Sequence, residues 1–292
     1  MASLRTVISI FIVLFLAVTA ESFAVDLDDI NCTALLLPKG GLNLKNIVIV
    51  TAMDIEHDAI VSTRQVEGSA LSEKLGLRIN QFTVNDINFF ILRSGVGGVN
   101  AALSLGFAID RHPIDAVFVI GVGGALVPEL GIGDLVIADS VVQHDSVYSG
   151  ESGDELMSPG ELFLSRTVEN AFSDPVMRTH PELTALLERA FTGRGSRVFR
   201  GPIVSGGEFV ANATRKTALS QRHQGALLVD MEAAAVAQVC RKMGIPFVVA
   251  KTVADRLNPD GSISSDYKTF LKSASERAAQ IIDLLFSTQS LP

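Results

Sequence analysis

At 292 residues, 48% of them hydrophobic and 19% charged, the chain can bury a sizeable core, as one large domain or two small ones. A formal net charge of −8, with no heavily basic run, excludes nucleic acid as a partner, because such binders present a basic face. The five histidines are scattered and no cysteine or histidine grouping has metal-ligand spacing, so no metal site and no cofactor is expected.

The first predicted element is an export signal, residues 1–24. Arg5 gives it a positive start, residues 7–18 are apolar, and Val18-Thr19-Ala20 or Ser22-Phe23-Ala24 offers a small-x-Ala cleavage site. The apolar run is too short to span a bilayer comfortably, so an exported protein without stable membrane insertion is expected. A leader without clear periodicity follows over residues 25–45. Asn31-Cys32-Thr33 and Asn212-Ala213-Thr214 match the glycosylation sequon, a pattern common enough by chance to carry little weight. In an oxidising compartment Cys32 and Cys240 could pair; one buried thiol and one free thiol is an equal alternative.

The core is predicted from Asn46 onward. Residues 47–50 form a short β-branched strand, and the pattern turns helical across Thr51-Ala52-Met53-Asp54-Ile55-Glu56. Residues 82–84 and 87–92 form a hairpin around Asn85-Asp86, and Gly95-Val96-Gly97-Gly98 then opens a helix over 99–110. Buried strands follow at 116–120, ending in Gly121-Val122-Gly123-Gly124, and at 134–138. Residues 141–160, polar and glycine-bearing, read as a long loop. A helix is expected at 181–191, a strand at 203–204, and a helix over 229–242 stopped by Gly244 and Pro246. An almost unbroken apolar strand at 247–253 and a long amphipathic helix at 266–286 complete the series. Strands alternating with helices, without a linker, indicate a single α/β domain over 46–288 whose mixed, mostly parallel sheet is flanked by helices.

Three carboxylates stand at the ends of these elements. Asp230 is placed to cap the 229–242 helix, and Glu232 falls in its first turn, where the positive end of the dipole suits its charge. Asp255 ends a strand at the edge where open α/β sheets hold their ligands. Glu56 follows the first strand at that same edge. Glu56, Glu232 and Asp255 can therefore converge on one crevice, an arrangement that separates a proton donor from a proton acceptor. Taken singly, Asp255 and Glu232 serve equally well as a turn cap and a helix residue. The Gly95 to Gly98 turn lacks the βαβ context of a dinucleotide site, and no serine sits in a nucleophile elbow. His144-Asp145 either bonds structurally or rims a pocket, His57 faces solvent or its own helix, and Met53, Met231 and Phe209 suit a core.

Six short runs occur in order: Thr51-Ala52-Met53-Asp54-Ile55-Glu56, Ser94-Gly95-Val96-Gly97, GVGGALVPELGIGD at 121–134, IVSGGEF at 203–209, VDME at 229–232, and Val253-Ala254-Asp255. Together they make a chain that resembles the methylthioadenosine/S-adenosylhomocysteine nucleosidases of the nucleoside phosphorylase superfamily over residues 46–286. The resemblance implies a nucleoside phosphorylase-like fold and hydrolysis of the N-glycosidic bond of a purine, preferably adenine, nucleoside. It also implies a homodimer whose partner helps to close the 5′ end of the pocket. By it, Asp255 is the acid at purine N7, kept protonated by burial against apolar strands. Glu56 activates water, and Glu232 with Met231 holds the ribose hydroxyls and steadies the cationic sugar. Phe209 stacks on the purine and the Val210 backbone reads its edge, while Met53, Val122, Gly123 and Lys251 complete the substrate contacts. The chain differs from the usual pattern at Val122 and Ala254, where serines are common, at Lys251 for arginine and at Asp230 for glutamate. Two alternatives stand beside this one. A phosphorylase would need a glycine-and-arginine phosphate loop, and Arg93 is the only candidate near a glycine turn. An exported storage or binding protein would tolerate Val122 and Ala254 but would not need all three acids.

Overall fold

The β-branched run after Asn46 forms strand β1 (Asn46–Thr51), and the chain passes directly from it into helix α1 (Asp54–Val61). The computed structural model describes residues 44–62, 67–72, 76–84, 86–151, 153–158, 174–192, 197–223, 225–258, 260 and 262, all within one compact unit, Leu35–Pro292. The expected export signal, most of the leader, the Asn31 sequon, Cys32 and the 266–286 helix lie outside the described residues.

Strands β2 (Glu67–Ser72), β3 (Leu77–Val84) and β4 (Ile87–Arg93) come next, then α2 (Gly98–Arg111), β5 (Ala116–Ala125) and β6 (Leu135–Gln143). A small hairpin of β7 (Val147–Gly150) and β8 (Gly153–Leu156) precedes β9 (Val176–Arg178), α3 (Pro181–Phe191) and β10 (Val198–Ser205). The order ends with α4 (Ala213–Arg222), β11 (Leu228–Asp230), α5 (Ala233–Met243) and β12 (Phe247–Asp255).

The sheet is mixed, as the alternation of strands and helices predicts. β1 lies between β4 and β5, parallel to both, and β3 and β2 extend this side by antiparallel pairing. On the other side β5 pairs with β12, β12 with β6, β6 with β10 and β10 with β11, which returns to β5 and closes the strands into a ring. Alternation along β1 explains its unbroken apolar run. Ile47 and Ile49 face a core layer containing Leu183 and Leu187 of α3, whereas Val48 and Val50 face one containing Leu105 of α2 and Val236 of α5.

Three expectations need correction. β5 does not stop at the glycines but runs through them to Ala125, because Gly121 to Gly124 stay paired with β12, with a shift of register between Val253 and Asp255. The 141–160 stretch is not one loop: Val141 to Gln143 finish β6, and β7 and β8 make a hairpin of their own. The 229–242 helix begins later, at Ala233, because Val229 and Asp230 are drawn into the sheet as β11 beside Val204 and Ser205.

Candidate active site

The C-terminal ends of β1 and β12, the glycine stretch of β5 and the start of α5 enclose a cleft holding about 590 Å³, open solvent included. Glu56, Glu232 and Asp255 all line it. Met53, Val122, Gly123, Phe209, Val210 and Met231 line it too.

Glu56 is the most enclosed of the three acids, with 1% of its surface exposed. It occupies the first turn of α1 and reaches back, so that one carboxylate oxygen accepts the Ala52 and Met53 N–H groups at 2.8 and 2.9 Å. The other accepts the Val122 N–H at 3.0 Å across the sheet. Burial raises its pKa above the ordinary value of 4.5; Lys251 and the three N–H donors pull the other way without cancelling it. Gly121 permits this placement, because a Cβ there would stand 2.6 Å from Oε1 of Glu56.

Glu232 stands just before α5 rather than in its first turn, and its carboxylate serves a different helix. Oε1 accepts the N–H of Gly97 at 2.9 Å, and Gly97 is the residue that opens α2. The charge therefore meets the positive end of α2. Gly97 has φ of +98°, a conformation open to glycine and strained for other residues. Glu232 holds the N-cap position of α5 without capping it, and the Asp230 carboxylate accepts the first N–H of that helix, from Ala233, at 3.2 Å. Burial raises the Glu232 pKa, with Lys251 opposing and Asp230 and Glu56 adding to the rise.

Lys251 does not line the cleft, contrary to its expected role in substrate contact. It is buried behind Glu232, with its ammonium 2.9 Å from Asp230 and 3.5 Å from Glu232. Burial works against that charge, but Asp230, Glu232 and Glu56 outweigh it and push the lysine pKa above its usual value. It compensates the acids from within the sheet and leaves the cleft wall negative.

Asp255 ends β12 at the cleft edge, with 14% of its side chain exposed. The apolar surroundings expected for its carboxyl are not what it meets. Lys216 of α4, fully buried, forms an ion pair with its Oδ1. Sequence reading missed this lysine, which sits in the polar run ATRKTALSQR. The available signal is spacing: Lys216 and Leu219 lie three apart and are the two residues that α4 buries. Ala254, Val122 and Met53 pack together beside this acid and form the apolar part of the wall.

Phe209 is 61% exposed at the cleft rim, on the loop between β10 and α4. That loop is fastened from below: the Gly207 N–H donates to Asp145 at 2.6 Å, and Arg215 grips Glu208 at 2.8 Å. His144 is buried outside the cleft lining, so the His144-Asp145 pair holds the loop through its aspartate. His57 is buried, not solvent-facing, with Nδ1 3.2 Å from Asp58 of its own helix. The Asn212 side chain accepts the Arg215 N–H at 2.9 Å and caps α4, an ordinary structural use for that sequon asparagine. Among the described residues no group of three His, Cys, Asp or Glu side chains is placed to hold a metal.

A family model described as the phosphorylase superfamily matches residues 46–287. A Staphylococcus aureus 5′-methylthioadenosine/S-adenosylhomocysteine nucleosidase is 29% identical over 241 residues, covering 78% of this chain and 98% of its own length. Among solved structures, the Neisseria meningitidis nucleosidase of the same name, in complex with methylthio-immucillin-A, is 25% identical with a TM-score of 0.68, over 85% of this chain and 100% of that one. The futalosine hydrolase of Helicobacter pylori is 26% identical with a TM-score of 0.68, over 83% of this chain and 97% of that one.

Proposed function

This chain belongs to the phosphorylase superfamily, and from its cleft we propose that it is a nucleosidase, hydrolysing the N-glycosidic bond of an adenine nucleoside such as methylthioadenosine or S-adenosylhomocysteine. The observation that carries the reading is the convergence of Glu56, Glu232 and Asp255 on one cleft. Cleaving this bond requires a base that can leave without negative charge, a sugar that can bear positive charge, and a water made nucleophilic. Asp255, at the open edge, passes a proton to purine N7 as the bond to the sugar breaks. Glu232, next to Met231, accepts the ribose hydroxyls and faces the cationic sugar with its own charge. Glu56 takes the proton of the attacking water; its raised pKa makes it a stronger base than an exposed glutamate. Phe209 covers the purine face at the rim, the Val210 backbone reads its edge, and Met53, Val122 and Gly123 wall the remainder.

Water rather than phosphate is the acceptor. Among the described residues no arginine or lysine lines the cleft, whereas Glu56, Glu208, Asp230, Glu232 and Asp255 do, and a wall of that sign repels an anion. Arg93, the one candidate for a phosphate ligand, is 3.1 Å from Asp54.

A homodimer belongs to the same reading. Val96, Val99 and Leu103 are 47%, 84% and 42% exposed at the start of α2, and Val96 also lines the cleft, so a second copy covering them would close one end of the site. Export is supported by Arg5 and the apolar run at 7–18, and sequencing the mature N-terminus tests it.

The test of the activity is release of free base from methylthioadenosine, S-adenosylhomocysteine, adenosine and inosine, each with and without phosphate. Release from the adenine nucleosides in phosphate-free buffer is expected. Release that requires phosphate would make the chain a phosphorylase, and no release from any of them would leave only a binding role.

A further inference from the structure

Helix α4 is polar along most of its surface, yet the longest side chain it buries is a lysine. Lys216 is 0% exposed, does not line the cleft, and meets Asp255 from behind, so the aspartate stands between the ammonium and the cleft. Space has been kept for the pair. A Cβ on Gly124 would come within 2.8 Å of the lysine nitrogen and 2.9 Å of Oδ1 of Asp255. Docking the helix does not call for this charge, because Leu219 already belongs to an apolar cluster with Leu126, Val204 and Val229, and Arg215 ties the helix to Glu208. An ammonium withdrawn from water is costly unless it is paired, and an apolar side chain would fill the same volume without that cost.

Resting on the reading of Asp255 as the acid at N7, we infer that Lys216 is a positioning residue that holds the proton Asp255 delivers. As the sugar–base bond breaks, its electron pair moves onto the purine ring and N7 takes a proton from Asp255. In the same step the Lys216 ammonium gives its proton to Asp255 and becomes a neutral amine, so Asp255 gains the proton it passes on and the base leaves uncharged. Glu56 receives the proton lost by the attacking water and releases it to solvent. Once the base has gone, water in the cleft returns a proton to the Lys216–Asp255 pair through the exposed face of the aspartate, so charge and protons balance over the cycle. This arrangement lets the pair act as an acid only when a base pulls on it.

The test compares two substrates. Methylthioadenosine needs a proton on its leaving group; 4-nitrophenyl β-D-ribofuranoside does not, because nitrophenolate leaves as a stable anion. Lys216→Met is expected to lower kcat on the nucleoside by roughly 10²-fold while changing the nitrophenyl riboside rate by less than about threefold. Lys216→Arg, which keeps the charge, recovers at least about tenfold of that loss. If Lys216→Met does not fold, Lys216→Gln, which can still donate a hydrogen bond but has no proton to give, must show the same split. Equal slowing of both substrates, or of neither, overturns the inference. Asp255→Asn run in parallel separates the two levels. If it shows the split and the lysine variants do not, only Lys216 loses its role; if it slows both substrates alike, Asp255 is not the acid and the reading beneath falls with it.

Discussion

The two ends of the cleft hold their carboxylates by different means. At the sugar end, Glu56 and Glu232 are fixed largely by backbone N–H groups from Ala52, Met53, Val122 and Gly97, and their charge is balanced by Lys251, a residue of the sheet itself. At the base end, Asp255 is held by a side chain, Lys216, brought in by a helix whose other buried residue is Leu219. Backbone donors keep their geometry under substitution and favour the ionised carboxylate, which suits a base and a charge-stabiliser. A lysine can give up a proton, which suits an acid. The difference matches what each end has to do.

The largest effect that would break this comparison is at Glu56. Glu56→Ala is expected to lower kcat by roughly 10²- to 10⁴-fold with little change in KM, since the general base is lost while the sugar contacts remain. Steady-state base release checks it, and a variant that keeps turnover would show that water is activated elsewhere. Next comes Lys251→Met, which leaves Asp230 and Glu232 buried without their cation. It should cost about 3–5 kcal/mol of folding stability, read by urea denaturation; a loss below about 1 kcal/mol would mean that the sugar end does not need its internal charge.

Two glycines sharpen the contrast. Gly121→Ala pushes on Glu56 and Gly124→Ala on Lys216 and Asp255. A shift near 1 Å at either place costs about 10²-fold in kcat. The first should slow methylthioadenosine and nitrophenyl riboside alike, the second chiefly methylthioadenosine. Identical behaviour of the two variants would erase the distinction between the ends. Phe209→Ala is a smaller effect, a rise in KM of roughly 5- to 30-fold from lost stacking worth about 1–2 kcal/mol, with kcat nearly kept. The smallest is a matter of position on the pH axis. Glu56 works as a carboxylate, and burial keeps a proton on it to higher pH, so kcat/KM should fall as pH is lowered through a value above 4.5. An acid limb at or below the ordinary glutamate value would contradict that.

Much of the scaffold was legible because local periodicity and burial agree. Ile47 to Val50, the hairpin around Asp86, the 181–191 helix and the apolar run into Asp255 appear where their patterns put them. What was hidden is non-local. Leu228 to Asp230 is too short to announce a strand, and only its two partners, β10 and β5, make it one. Glycines in series suggest a break, yet in β5 they persist as strand because Glu56, Leu228 and Lys216 each need the space a Cβ would take. The same holds for the candidate site: Asp255 and Glu56 were visible from their places at strand ends. Lys216 was not, because a lysine among Thr214, Arg215 and Thr217 reads as solvated until the fold turns it inward.

The central claim is that these acids cleave a purine nucleoside with water. Free adenine and reducing sugar should be measured together from methylthioadenosine in phosphate-free buffer, for the native chain and for Asp255→Asn. Equal amounts of both products from the native chain, with release almost abolished in the variant, is the predicted result. Undiminished release by Asp255→Asn, or none from the native chain until phosphate is added, would contradict it.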